Sequence, residues 1–478
     1  MKLKRILISL SVLTSFAAAG QEFVHPGILH SKEDLIRIRS YVEGRAQPAY
    51  GSWEKLISDP KSSADYKVQG PFPVISRADE YGWTKKPCEE DFNAAYYNAL
   101  IWTVTADKAH ADKAMEIIRK YAAVLRKITP RDDPLCAGLQ GFIITNAAEL
   151  MRYTYPSSTY KNGWTDGDTR AMETMLREAF IPVFIKFYAT PAYTNGNWGL
   201  SVLKGMIGMG VFLDDRDLYE DAVRKYLEPG SDNGSLPDYT APSGQLQESG
   251  RDQAHCMLAL GCMAEICEVA WKQGRDLYSA LDNRLLTCYE YLSSYNLGND
   301  DLPFFTWKDK TGKYCRWDKI SPQARGQFRS VFEIAYAHYA GRKGLKMPYT
   351  AAVLERIRPE GKAWTCDNPG FGSLLFWLGD GGIYRQGWID FNKNGVKDIY
   401  EDSSAPEEDR IRDLLSKMTL EEKTCQMVTL YGTGRVLKDE LPTPEWSNEI
   451  WRDGVGNIDE EHNGVKNPSS PYAADFTK

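Results

Sequence analysis

The sequence predicts an all-α protein of paired helices stacked in an arc or toroid, with a short, partly irregular extension at its C-terminal end. Apolar residues recur at helical spacing over most of the chain up to about residue 360, while the strict alternation of a half-buried strand is scarce. Short loops rich in Pro, Gly and Asn join these stretches, and a four-helix bundle cannot absorb so many of them. No fixed-period repeat is visible, which argues against a regular solenoid. With 478 residues, 42% hydrophobic and 12% aromatic, the chain can fill one large core or two ordinary ones.

The elements follow in order. Lys2, Lys4 and Arg5 precede an apolar run from Ile6 to Phe16 and then Ala17-Ala-Ala-Gly20, the pattern of a cleaved signal peptide over residues 1–20. A secreted or periplasmic protein is expected. The run is too short to span a bilayer, and no later stretch reads as a membrane span. Ser31-x-x-Asp34 is a capping box that opens the first helix. Further helices are expected to start near Phe92, Asp107, Leu139, Asp168, Gly199, Leu218, Asp252, Leu277, Gly326 and Tyr349. Character changes after Phe376: Gly379-Asp-Gly-Gly382 reads as a linker, so residues 21–378 form one domain and 379–478 an extension. Thr419 and Glu422 form a second capping box within that extension.

Composition excludes some partners. A net charge of -7 and a pI near 5.6 argue against nucleic acid, whereas a polyanion can still be held in a local basic cleft. Nine cysteines include no CxxC pair, and Cys256, Cys262 and Cys267 share one apolar helical stretch, so most are expected to be buried thiols.

Two polar clusters stand out: Asn195-Gly-Asn-Trp198 and Glu248-Ser-Gly-Arg-Asp-Gln-Ala-His255. The chain has only six histidines, and His255 follows Arg251 by four residues at a helix entry, where the two share a face. Asn197 fits either a functional amide or a helix cap. Tyr314 and Arg316, in Lys313-Tyr-Cys-Arg-Trp317, lie on a loop of aromatics and bases suited to the rim of a sugar site. Trp198, Trp307 and Trp317 are candidates to stack on sugar faces. Arg329, Glu333 and Tyr336 form a rival cluster, expected to share one helical face.

Together with His25-Pro-Gly-Ile-Leu-His30, Asn93-Ala-Ala-Tyr-Tyr-Asn-Ala-Leu100 with Thr105-Ala-Asp107, and Thr145-Asn-Ala-Ala-Glu-Leu150, these clusters resemble the alginate-lyase-type superfamily of polysaccharide lyases over roughly residues 24–376. Within it the chain is most similar to polysaccharide lyase family 38. The resemblance implies an incomplete α/α toroid whose cleft takes an acidic polysaccharide and cleaves it by β-elimination without a catalytic cofactor. It also implies roles: Asn197 neutralises the uronate carboxylate and His255 is the base. Tyr314 and Arg316, read from their loop, are expected to complete the catalytic set as the acid and a carboxylate partner, against a packed aromatic and a solvated charge. Arg251, Trp198, Arg329 and Tyr336 are then expected to bind substrate. Where the family often carries Asn-Asn-His, this chain has Asn195-Gly-Asn197, so the usual histidine is missing there.

The residue types suit that chemistry. Removing a proton from C5 of a uronate requires neutralisation of the neighbouring carboxylate, then a base for the proton and an acid for the departing O4. Two other readings stay open on sequence: a non-catalytic binder of acidic glycans, and a hydrolase using Glu248 and Asp252. The latter pair, four residues apart at a helix start, would lie only about 6 Å apart on one face.

Asp390-x-Asn392-x-Asn394-Gly395, with Asp398 and Glu401, matches the spacing of a calcium-binding EF-hand loop, though Lys397 stands where an apolar residue is usual. A structural calcium ion and a plain Asn/Asp turn are both expected readings. Gly387-Trp-Ile-Asp-Phe-Asn-Lys-Asn-Gly395 and Asp413-Leu-Leu-Ser-Lys-Met-Thr-Leu-Glu-Glu-Lys423 resemble the N-terminus of secreted glycoside hydrolase family 3 enzymes over about residues 383–465. The part of such an enzyme that bears its nucleophile has no counterpart, so no hydrolase activity is expected from this segment.

Overall fold

The computed structural model describes residues 22–190, 195–230, 232–379, 384–385, 388–392, 397–427, 429–431 and 457–459. The signal-like segment 1–20, most of the Gly379–Gly382 linker, Gly387, Asn394 and Gly395 lie outside them. Contacts divide the chain into two units at Leu378/Gly379.

In the first unit, long helices fall into two classes. Lys85–Thr105, Gly141–Thr154, Gly196–Phe212 and Gln253–Lys272 are buried on nearly every side, as expected of helices apolar all round. Lys108–Val124, Asp166–Met175, Arg216–Leu227 and Ala280–Asn296 bury one face against them. This is an α/α toroid: an inner row of helices, each joined through an outer helix to the next. The Gln253–Lys272 helix is long and apolar enough to cross a membrane, but 83% of that window is buried inside this unit, the position of a core helix.

The inner helices run parallel, and their side-chain contacts establish the register. Gln140 Nε2 donates to Glu89 Oε1 at 3.2 Å, and Trp102 Nε1 to Thr154 Oγ1 at 3.0 Å. Asn197 meets Glu248 at 2.6 Å, and seven residues on Lys204 meets Glu265 at 2.8 Å. Parallel packing brings the N-terminal ends of these helices to one rim. The positive ends of several helix dipoles therefore share that rim, which suits an acidic ligand despite the negative net charge.

Expected and observed starts agree within a few residues for most helices. The Ser31 and Thr419 capping boxes are both present, with side chains and backbone N–H groups paired reciprocally; such a cap stabilises a helix by about 1 kcal/mol. Lys85–Thr105 begins seven residues before Phe92, because its first turns are charged and hide the period. The helix expected near Gly326 starts instead at Glu333. Gly326 has φ 74° and its N–H is bonded to Asn296 Oδ1, so the chain up to Phe332 is held as a loop. Eight cysteines are buried free thiols and Cys425 is partly exposed.

In the second unit the described strands are short: Tyr384–Arg385 pairs antiparallel with Trp388–Ile389, and Thr429–Tyr431 parallel with Asn457–Asp459. Its helix Glu407–Lys417 has no buried residue.

Candidate active site

The two sequence clusters meet at the N-terminal rim. Helix Gly196–Phe212 begins with Asn195 as N-cap, but the cap is not made by a side chain, and Asn197 does not serve as one either. Its Nδ2 donates to Glu248 Oε2. Gly196 is required by close approach: a Cβ there would lie 2.2 Å from Asn233 O and 2.3 Å from the Tyr239 ring. Its N–H donates to Gln247 Oε1 at 2.8 Å, which ties the helix start to the second cluster.

Glu248 is the hub. Fully buried, it accepts from Asn197 Nδ2 at 2.6 Å, Tyr239 OH at 2.8 Å, Tyr314 OH at 2.9 Å and Arg251 Nη1 at 2.6 Å. Four donors satisfy its carboxylate, the condition for keeping such a group in the interior. Arg251 also faces Asp252, with Nε 3.4 Å from Oδ2. Asp252 caps helix Gln253–Lys272 through the backbone N–H of His255 at 2.8 Å, and its other oxygen meets His255 Nδ1 at 2.7 Å. Burial pushes the Asp252 carboxyl up, but the hydrogen bonds from His255 and the charge of Arg251 outweigh it and hold it below its ordinary value. An ionised Asp252 accepts from Nδ1–H, which leaves the lone pair of His255 on Nε2.

Tyr314 comes from the long loop after Ala280–Asn296. Asp309 shapes this loop by accepting from the hydroxyl of Thr311 and from the N–H groups of Thr311, Tyr314 and Cys315. These bonds overcome burial and lower its carboxyl to about 2. The loop is fastened to the second cluster by Ser321 N–H on Ser249 O and Gln253 N–H on Gln323 O, and Trp317 packs where a side chain on Gly250 would stand, 2.3 Å from its Cβ. Burial first, and then the charge of Glu248, raise the Tyr314 hydroxyl far above its ordinary value, so it stays protonated.

The result is one chain of hydrogen bonds and ion pairs, His255–Asp252–Arg251–Glu248–Tyr314, sealed in the middle and open at places along it. The Glu248 side chain is 0% exposed, whereas Arg251 is 28% and His255 36% exposed. A proton acceptor and a proton donor flank a guanidinium, the set that elimination beside a carboxylate requires.

Other sequence candidates fall as follows. Trp198 is half-buried against the core and Arg316 is exposed beside Tyr314. Arg329 does not share a helical face with Glu333 and Tyr336, because the helix begins at Glu333. Arg329 pairs with Asp367 at 2.9 Å and Glu333 with Arg358 at 2.6 Å, while the Arg358 guanidinium lies 5.5 Å from the Tyr336 ring centre. Glu248, weighed on sequence only as a hydrolase carboxylate, has no oxygen left without a donor. Tyr239 was not singled out at all; its only sequence signal is its place nine residues before Glu248.

The sequence model of the alginate lyase family matches residues 55–302. The chain belongs to the alginate lyase family. It is a polysaccharide lyase, and Asn197, Glu248, Arg251 and His255 all lie within the matched span. Solved structures share the fold of this lyase. Alginate lyase A1-III from Sphingomonas species A1 superposes with a TM-score of 0.51 at 13% identity, over 72% of this chain and 94% of that one. An alginate lyase from Bacteroides ovatus gives 0.51 at 12% identity, over 74% and 100%. A histidine-to-alanine variant of A1-III complexed with a tetrasaccharide gives 0.50 at 12% identity, over 74% and 95%. No curated protein sequence matches this lyase.

In the second unit, Glu401 accepts from Phe391 N–H at 2.7 Å and Asp398 N–H at 2.9 Å, and Asn392 Nδ2 donates to Asp398 Oδ2 at 2.6 Å. Asp390 is buried. Among the described residues no group of three or more His, Cys, Asp or Glu is arranged to hold a metal ion, and Asn394 lies outside them. Both Glu401 oxygens accept from backbone N–H groups, and Asp398 with Glu401 forms a capping box on the short helix Ile399–Glu401.

Proposed function

We propose that this lyase cleaves a 1,4-linked polyuronate, mannuronate-rich alginate first and glucuronan second, by β-elimination at the rim of the inner helices. The observation that carries the reading is the bonded chain from His255 to Tyr314, with Arg251 between them. Arg251 meets the substrate carboxylate and, with the helix N-termini, stabilises the enediolate that forms as the C5–H bond breaks. His255 Nε2 takes the C5 proton. The electron pair forms the C4–C5 double bond as the C4–O4 bond breaks, and the Tyr314 hydroxyl supplies the proton to O4. Asn197, 1% exposed, acts through Glu248, which it helps to hold against Arg251 and Tyr314; Arg316 lies where it can bind a neighbouring carboxylate. All of this is chemistry of side chains and needs no cofactor.

The test is ultraviolet absorbance of the unsaturated uronate when the purified protein is incubated separately with polymannuronate, polyguluronate and glucuronan. A rise with one polymer supports the mechanism and names the substrate. A folded protein that gives no rise with any of them removes the polyuronate reading.

The finer family assignment, polysaccharide lyase family 38, rests on the order of the sequence motifs. Export to the periplasm or beyond rests on residues 1–20, and the glycoside hydrolase family 3 likeness of residues 383–465 on the Met418-Thr-Leu-Glu-Glu-Lys423 run. For the segment Asp390–Glu401, calcium is the ligand that the spacing of Asp390, Asn392, Asn394, Asp398 and Glu401 suggests. Calorimetric titration with calcium measures this, and absence of heat removes the calcium reading.

A further inference from the structure

We propose that Phe305, Trp307 and Lys308 form a second carbohydrate-binding platform, which grips the acidic chain a few sugars away from the bond being cleaved. The inference rests on the polyuronate reading and adds a subsite to it. Phe305 and Trp307 are two residues apart in extended chain, so their side chains fall on one side. Their rings stack with centres 5.3 Å apart and planes 22° from parallel. The pair is not packed away: Phe305 is 50% exposed and Trp307 is part-exposed. Beside them opens a cavity of about 460 Å³, lined also by Asn233, Pro237, Asp238 and Lys310, within the size range of small-ligand sites.

Charge selects the ligand. Lys310 is occupied, 2.9 Å from Asp238. Lys308 is exposed and makes no ion pair among the described residues. A flat aromatic surface beside an unspent ammonium group complements a uronate, whose ring presents a C–H face and whose C6 carries a carboxylate. The platform is also rigid. Gln245 holds Phe305 by both backbone groups, donating to its carbonyl at 2.8 Å and accepting from its N–H at 3.0 Å, and Lys310 N–H is fixed to Asn233 Oδ1 at 3.0 Å. Rotamers and loop are therefore ordered before the ligand arrives, which lowers the entropic cost of binding.

The platform and Tyr314 belong to the same loop. Asp309, two residues after Trp307, binds the N–H of Tyr314 at 2.9 Å, so Trp307 and Tyr314 lie within about 15 Å by chain reach. That separation corresponds to a few sugar units of a polymer held at Tyr314.

The experiment measures affinity in a His255→Ala background, which slows turnover, by calorimetry against the polyuronate that the parent cleaves and against its short oligosaccharides. Trp307→Ala is expected to weaken binding of the long chain about five- to tenfold and Lys308→Ala about threefold, with a smaller loss for the shortest oligosaccharide. Affinities within twofold of the background for both variants, with helical circular dichroism intact, overturn the platform. So does a loss that is equal for short and long chains. A parent that neither binds nor cleaves any polyuronate removes the substrate reading, and the platform's ligand falls with it.

Discussion

Two buried polar clusters sit at different depths along the same pair of inner helices. At the rim, Glu248 collects Asn197, Tyr239, Tyr314 and Arg251. Seven residues further along helix Gly196–Phe212, about 10 Å inward, Lys204 meets Glu265 at 2.8 Å and the carbonyl of Asp367 at 2.8 Å, while Asn368 donates to Glu265 at 2.8 Å. Both clusters hold charge away from water. They differ in their exposed members: the rim cluster includes part-exposed Arg251 and His255, whereas Lys204 and Glu265 are 0% and 3% exposed and bond directly to buried Asp367 and Asn368. Buried charge therefore does not mark a candidate site by itself; a buried network whose own charged groups reach solvent is the better candidate.

The strongest way to break this contrast is at the open end. His255→Ala should lower turnover about 10²- to 10⁴-fold, the usual weight of a general base, with thermal unfolding close to the parent because the ring is on the surface side of Asp252. Initial rates and a melting curve decide it, and wild-type turnover in the variant would remove His255 from the chemistry. The sealed cluster should respond in the opposite way. Lys204→Met strands Glu265 among apolar neighbours and should cost about 3–5 kcal/mol of stability, while the fraction that remains folded keeps its specific activity. Lost activity at parental stability would move the inner cluster into the site.

A finer comparison lies within the rim. Tyr239 and Tyr314 both donate to Glu248, but Tyr239 is fully buried and Tyr314 is not. Tyr314→Phe should cut turnover about 10²-fold with little change in stability. Tyr239→Phe should instead destabilise by about 1–2 kcal/mol and leave most of the turnover. Equal effects of the two substitutions on rate would mean that Glu248, rather than the Tyr314 hydroxyl, is what both variants disturb.

What the sequence disclosed follows the range of the interactions. Capping boxes act over three residues, and helical periodicity over one or two turns, so most helices and the Ser31 and Thr419 starts were legible. Asn197, Arg251 and His255 were legible for the same reason, as dense polar clusters at helix entries. The place of Glu248 at the centre of the cluster was not, because its partners Asn197 and Tyr314 lie 51 and 66 residues away. The helical face expected for Arg329, Glu333 and Tyr336 is not formed, for a local reason: with positive φ at Gly326 and Arg329 paired to Asp367, the helix begins only at Glu333, against the apolar spacing before it.

A third buried cluster extends the comparison to pH. Glu333 and Glu360 lie together with one guanidinium between them, Arg358, which pairs with Glu333 at 2.6 Å; Glu360 accepts from Phe332 N–H at 3.2 Å and is 1% exposed. Burial first, and then the negative charge of Glu333, push the Glu360 carboxyl up to about 8. Its folded pKa thus stands above the unfolded one, so the native state holds a proton that the unfolded chain has released. The resulting stabilisation is complete below the ordinary carboxyl range and is lost as pH rises toward 8. Unfolding free energy should fall over that window by on the order of 4 kcal/mol. Glu360→Gln keeps the shape and cannot ionise, so it should flatten the slope and be the more stable protein at pH 8. Denaturant midpoints at pH 5, 6.5 and 8 for both proteins measure this, and parallel curves would mean that Glu360 is ionised in the folded state, with its charge met by Arg358 and the backbone. Because none of these groups reaches the rim, the pH dependence of turnover should be the same in both proteins over the range where both stay folded.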